Sequence, residues 1–140
     1  MKVTMRKVLT EVEEKDIKDG ILTISEDIDE IEMESCLVCP EVTTVIFPKN
    51  LKHIGKFAFY DCANLNILKF SSAPQIEYDA FADCPIDTVI IPADIQGVEL
   101  DEFYCALKKA INNNFKLFIE DGGLASEKDK FGNPEEPENE

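Results

Sequence analysis

The chain has 140 residues, 44% of them hydrophobic, and its 29 acidic against 14 basic side chains give a net charge of −15. That length suffices for one domain burying roughly two-thirds of the surface its unfolded form exposes, with no cofactor or disulfide needed to hold it. The charge repels nucleic-acid phosphate, so no nucleic acid is expected as a partner. The opening segment MKVTMRKVLTEVEEKD lacks the continuous apolar stretch of a secretory signal, no later run approaches membrane-spanning length, and no N-x-S/T sequon occurs. A soluble cytoplasmic protein without membrane contact is therefore expected.

In chain order, residues 1–18 read as an N-terminal cap, with KVTMRKVL as an edge strand and TEVEEKD as a short helix opened by a Thr-x-x-Glu box. Residues 19–106 are periodic, in about four copies. Val42, Val45 and Phe47 align with Leu65, Leu68 and Phe70, then with Ile86, Val89 and Ile91, while Leu22 and Ile24 fit the same frame upstream. The third anchor recurs at intervals of 23, 23 and 21 residues, inside the range of about 20 to 29 for leucine-rich repeats. A second set, Ile31, Ile54, Ile76 and Val98, is followed five residues later by Cys36, Phe59, Phe81 and Phe103. Each L-x-x-L-x-L portion predicts a short strand whose alternate residues point inward and which pairs with the next coil. Pro or small polar residues after the strand, as in FPKN, FSSAPQ and IPAD, turn the chain out of the sheet. The later Ile and Phe then plug the coil from its convex side.

Residues 101–121 read as a C-terminal capping helix and strand overlapping the last repeat. Asp101 reads as the N-cap, and Phe103, Ala106, Leu107, Ala110 and Ile111 follow helical spacing until Asn112 to Asn114 end it. FKLFIED then alternates as a fifth strand with Leu117 and Ile119 inward. Residues 122–140 are an acidic stretch with almost nothing to bury, and disorder is expected.

The segment TTVIFPKNLKHIGKFAFYDCANL resembles the BspA-type leucine-rich repeat, through Pro48, Ile54, Gly55, Ala58, Phe59 and Cys62. The next copy keeps Ala80, Phe81 and Cys84 but has Ser71 and Glu77 in place of the Pro and Gly. The resemblance covers about residues 20–106 and implies an α/β repeat fold: a short right-handed leucine-rich-repeat solenoid with a parallel sheet on the concave face, irregular convex arcs and a C-terminal helix-strand cap. It also implies protein binding, of the surface or adhesion kind common in that family.

Chemistry is thin. Cys36 and Cys39 form a C-x-x-C, but a structural zinc site needs four ligands and no second such pair exists. Cys36 falls at the plug position, and Cys39, Cys62 and Cys84 share one recurrent packing position, so buried free thiols are expected. His53, the sole histidine, has no nucleophile placed beside it, and an outward, solvated side chain is expected. IGKF is not a phosphate loop, and Glu30, Glu32 and Glu34 lack EF-hand spacing, which leaves them as a solvated face. No catalytic, cofactor or metal site is assigned, and the chain is expected not to be an enzyme.

What remains is the sheet surface. Between the inward residues, one outward row reads Ile21, Thr44, Ile67, Thr88, Lys116 and a second Thr23, Ile46, Lys69, Ile90, Phe118. Thr44, Ile46, Ile67, Lys69, Thr88, Ile90, Lys116 and Phe118 are the candidate partner-binding residues of a non-catalytic protein-protein interaction module. The alternatives are a self-associating structural unit, hence a homo-oligomer, and a thiol-redox or zinc protein using Cys36 and Cys39.

Overall fold

The structure, a computed structural model, describes residues 8–12, 14–36, 38–121 and 124–128. Its elements in chain order are β1 (Val8–Leu9), a 3-10 turn (Glu14–Asp16), β2 (Ile17–Lys18), β3 (Ile21–Thr23), β4 (Glu30–Ile31), β5 (Thr44–Ile46), β6 (His53–Ile54), β7 (Ile67–Lys69), β8 (Gln75–Ile76), β9 (Thr88–Pro92), α1 (Gly97–Ala110), β10 (Lys116–Asp121) and β11 (Leu124–Lys128). They form a solenoid. One seven-stranded sheet has the order β11-β10-β9-β7-β5-β3-β2, and its five middle strands are parallel.

The arcs are more regular than the repeat predicted. Where irregular convex segments were expected, β1, β4, β6 and β8 make a second parallel sheet of two-residue strands. The reason lies in the backbone. Each arc would otherwise bury unpaired amides, and the stacking of coils lets Gly55 donate to the Ile31 carbonyl, Gln75 to Lys52 and Glu77 to Ile54, at 2.8 to 3.0 Å.

A further ladder runs through the plug segments, Cys36 N–H to Ala58 O and Phe59 N–H to Ala80 O, both 2.8 Å. It ends on the helix. Asp79 and Phe81 donate to the Lys109 and Ala110 carbonyls of α1, which are among the last four of a helix and lack partners within it. The cap thus closes the solenoid with hydrogen bonds as well as with apolar surface.

The core is the one the repeat specifies. Leu22, Val45, Leu68, Val89 and Leu117 lie in one buried column, and Ile24, Phe47, Phe70, Ile91 and Ile119 in the next. From the arc side Ile31, Ile54, Phe59, Phe81 and Phe103 meet them. The rings interlock: Phe47 stacks on Phe70 with centroids 4.5 Å apart, Phe59 on Phe81 at 5.3 Å, and Phe47 meets Phe59 edge-on at 5.9 Å.

Departures concentrate at the ends. The helix starts at Gly97 after Gln96, not at Asp101, and Val98, assigned to the arc anchors, is 71% exposed in its first turn. Phe103 still fills the plug position, because a helix starting at residue 97 turns residues 100, 103, 104 and 107 toward the coil. Toward the N-terminus, the predicted helix of residues 10–16 is reduced to the 3-10 turn, and Glu13 of the Thr-x-x-Glu box lies outside the described residues. The region expected to be disordered contains β11, which pairs antiparallel with β10 over five residue pairs. Residues 129–140 lie outside the described residues.

Every return arc uses left-handed backbone at two matching positions. One set is Glu34, Phe57 and Asp79, with φ of 63°, 58° and 60°; the other is Val38, Asp61 and Asp83, at 53°, 56° and 62°. Asp tolerates this region, whereas a β-branched Val there is strained.

Candidate functional site

The predicted rows exist in register. Ile21, Thr44, Ile67, Thr88 and Lys116 are successive pairing partners across β3, β5, β7, β9 and β10, as are Thr23, Ile46, Lys69, Ile90 and Phe118. Their inward neighbours are fully buried while they themselves are not: Ile21, Thr23 and Lys116 are exposed, and Thr44, Ile46, Ile67, Lys69, Thr88, Ile90 and Phe118 half-buried. Half-burial follows from strands lying about 4.8 Å apart, which lets each side chain shade the next.

The alternation continues two residues further than the candidate rows. Glu120 follows Phe118 on the same side, and its carboxylate lies 3.3 Å from the Lys69 ammonium across β9. Lys69 is thus partly neutralised and does not make the strip positive. The signal that would have found Glu120 is the same period of two, followed to the end of FKLFIED. Three of the candidates, Thr88, Lys116 and Phe118, join Asp87, Asn114 and Phe115 around a depression of about 390 Å³ at the start of β9 and β10.

A second concavity, about 500 Å³, lies between β8 and α1, lined by Ile76, Glu77, Tyr78, Glu99, Glu102 and Lys109 among others. Nothing in the repeat pointed to it, because it exists only where the helix replaces a coil.

His53 is less solvated than expected. It sits on the arc sheet between coils, with Nε2 2.8 Å from a Glu77 carboxylate oxygen and Nδ1 3.5 Å from one of Glu30. Glu32 and Glu34 are exposed, as a solvated face requires. This is a bridge between arcs.

The cysteines have a repeating task. Cys62 donates its thiol to the Cys36 carbonyl at 3.1 Å, and Cys84 to the Phe59 carbonyl at 2.7 Å, so each closing Cys satisfies the plug carbonyl of the preceding coil. Because the first coil has Cys where the others have Phe, sulfurs gather there. Cys36 and Cys39 have Sγ atoms 2.7 Å apart, Cys62 Sγ lies 4.0 Å from that of Cys36, and all three fall within 4.8 Å of one another. The Cys62 contact and burial push Cys36 far up from its ordinary range, and Cys84 is raised in the same way. Side-chain contacts with Cys36 first and then Cys84 hold the Cys62 thiol well below its ordinary range. Cys105 stands apart, exposed on α1.

No helix among the described residues is long and apolar enough to cross a membrane. A family model described as "BspA type Leucine rich repeat region" matches residues 17–119 in six copies, more than the four counted from the anchors, and it extends through the capping helix and into β10. No curated protein and no solved structure matches the chain.

Proposed function

The chain belongs to the BspA-type leucine-rich-repeat family, and from that premise we propose that it is a non-catalytic protein-interaction module that binds its partner on the outer face of the long sheet. The observation that carries the reading is the pair of in-register rows, in which Ile46, Ile67, Ile90 and Phe118 alternate with Thr44, Lys69, Thr88 and Lys116. Large apolar side chains interleaved with polar ones can form an interaction hot spot, where a partner desolvates the apolar groups and tolerant contacts exclude water around them. A binding area of about 800 Å² per partner exceeds five short strands, so the flanks, including the depression beside Phe118, contribute.

Replacing Ile67 or Ile90 with Glu tests this. Both side chains point out of the core, so the melting temperature should stay within a few degrees of the parent, while capture of the partner from native lysate should fall tenfold or more, about 1.4 kcal/mol. Variants that fold and still capture it move the site to the arcs or flanks. Self-association is the second reading, in which another copy of the chain covers the same rows of Ile46, Ile67, Ile90 and Phe118. Sizing the purified protein across a concentration series separates the two.

A further inference from the structure

We propose that Cys36, Cys39 and Cys62 form a three-thiolate site for a soft monovalent ion, copper(I). The C-x-x-C alone supplies two sulfurs, and the fold supplies the third from the next coil, bringing all three within 4.8 Å of one another. Two of them are buried and Cys39 is half-buried, so the site is shielded yet open to an entering ion on one side. The donor set selects the ion. Thiolates prefer soft cations, and three ligands in a dry site suit copper(I), whereas structural zinc takes four. Cys84, the next sulfur in the column, lies outside the group whose sulfurs all fall within 4.8 Å of one another.

Geometry fits with one movement. Three sulfurs about 4.0 Å apart have their centre about 2.3 Å from each, the length of a metal–thiolate bond, and Cys36 and Cys62 already have that separation. Cys39 must swing away from its 2.7 Å approach to Cys36, and of the three it is the least buried. Three Cu–S bonds then replace three S–H bonds, three protons leave to solvent, and neither copper nor sulfur changes oxidation state. Affinity should therefore rise with pH.

The test uses the full chain, reduced and under nitrogen, titrated with copper(I) against a competing copper(I) chelator. One equivalent should be retained, with the luminescence of a solvent-shielded copper–thiolate centre, and Cys36, Cys39 and Cys62 should resist alkylation while Cys84 is no better protected than without metal. Cys39→Ser should weaken retention at least 100-fold, and Cys105→Ser should leave it unchanged. Since Cys39 is half-buried on a turn, its variant should fold; circular dichroism checks this, and Cys62→Ser supplies an independent arm. Loss of all copper to the chelator, retention that depends on Cys105, or undiminished retention by a folded Cys39→Ser overturns the site. Tighter binding of zinc with Cys84 also protected overturns its assignment to copper.

Discussion

Gly55→Ala should destabilise the protein by about 1 to 3 kcal/mol, the usual cost of forcing atoms into a packed site. The expectation runs against habit, because Gly→Ala at a position with ordinary φ usually stabilises by about 0.4 to 1 kcal/mol through the unfolded chain. Gly55 has no left-handed φ, so conformation does not demand glycine. Space does. A Cβ built there would lie 2.8 Å from the Met33 amide nitrogen, 3.1 Å from the Glu32 carbonyl carbon and 3.2 Å from the Ile31 oxygen. All three are backbone atoms, and the Gly55 N–H holds that same Ile31 oxygen at 2.8 Å. Relief must push two coils apart and stretch that bond. Glu32 and Glu77 occupy the equivalent positions of the adjacent coils, so it is this local approach and not the repeat that requires glycine. Gly97→Ala is the matched control: it has nothing within 4 Å of the added carbon but a φ of 62°, and its cost of about 1 kcal/mol comes from conformation alone. Urea unfolding of both variants, read as midpoint at constant slope, gives the two values. If Gly55→Ala stabilises the chain, the coils are not as closely spaced there as the structure has them.

Phe59→Ala should cost about 3 to 5 kcal/mol, since the ring is fully buried against Phe81 and Phe47, and thermal unfolding checks it; a loss below 1 kcal/mol would place that ring outside the core. Val38→Asn should stabilise by about 1 kcal/mol in the same assay, because Val38 is exposed at φ 53° where the other coils carry Asp61 and Asp83. Deleting residues 124–140 should lower the melting temperature, since it removes the strand that pairs with β10 over five positions; an unchanged transition would show that β11 contributes nothing to the fold.

The period of the apolar residues determined most of the architecture, because a solenoid coil contacts only its neighbours and so repeats its inside pattern in the chain. That is why Val45, Leu68 and Val89, or Phe59 and Phe81, were assignable to columns without coordinates, and why the outward rows from Thr44 to Phe118 came out in register. The locality ends where the repeat does. Val98 carries the right residue at the right spacing and still lies in solvent, since the chain enters a helix at Gly97 and helical spacing replaces the coil's. The two-residue strands of the arcs left no period of their own, being too short to alternate, and only the stacking of coils supplies their hydrogen-bond partners. Pairings between side chains far apart in sequence were settled by tertiary structure alone. Glu120 against Lys69, Glu77 against His53, and Cys62 above Cys36 depend on the lateral offset of one coil on the next, a quantity that no single coil's sequence contains.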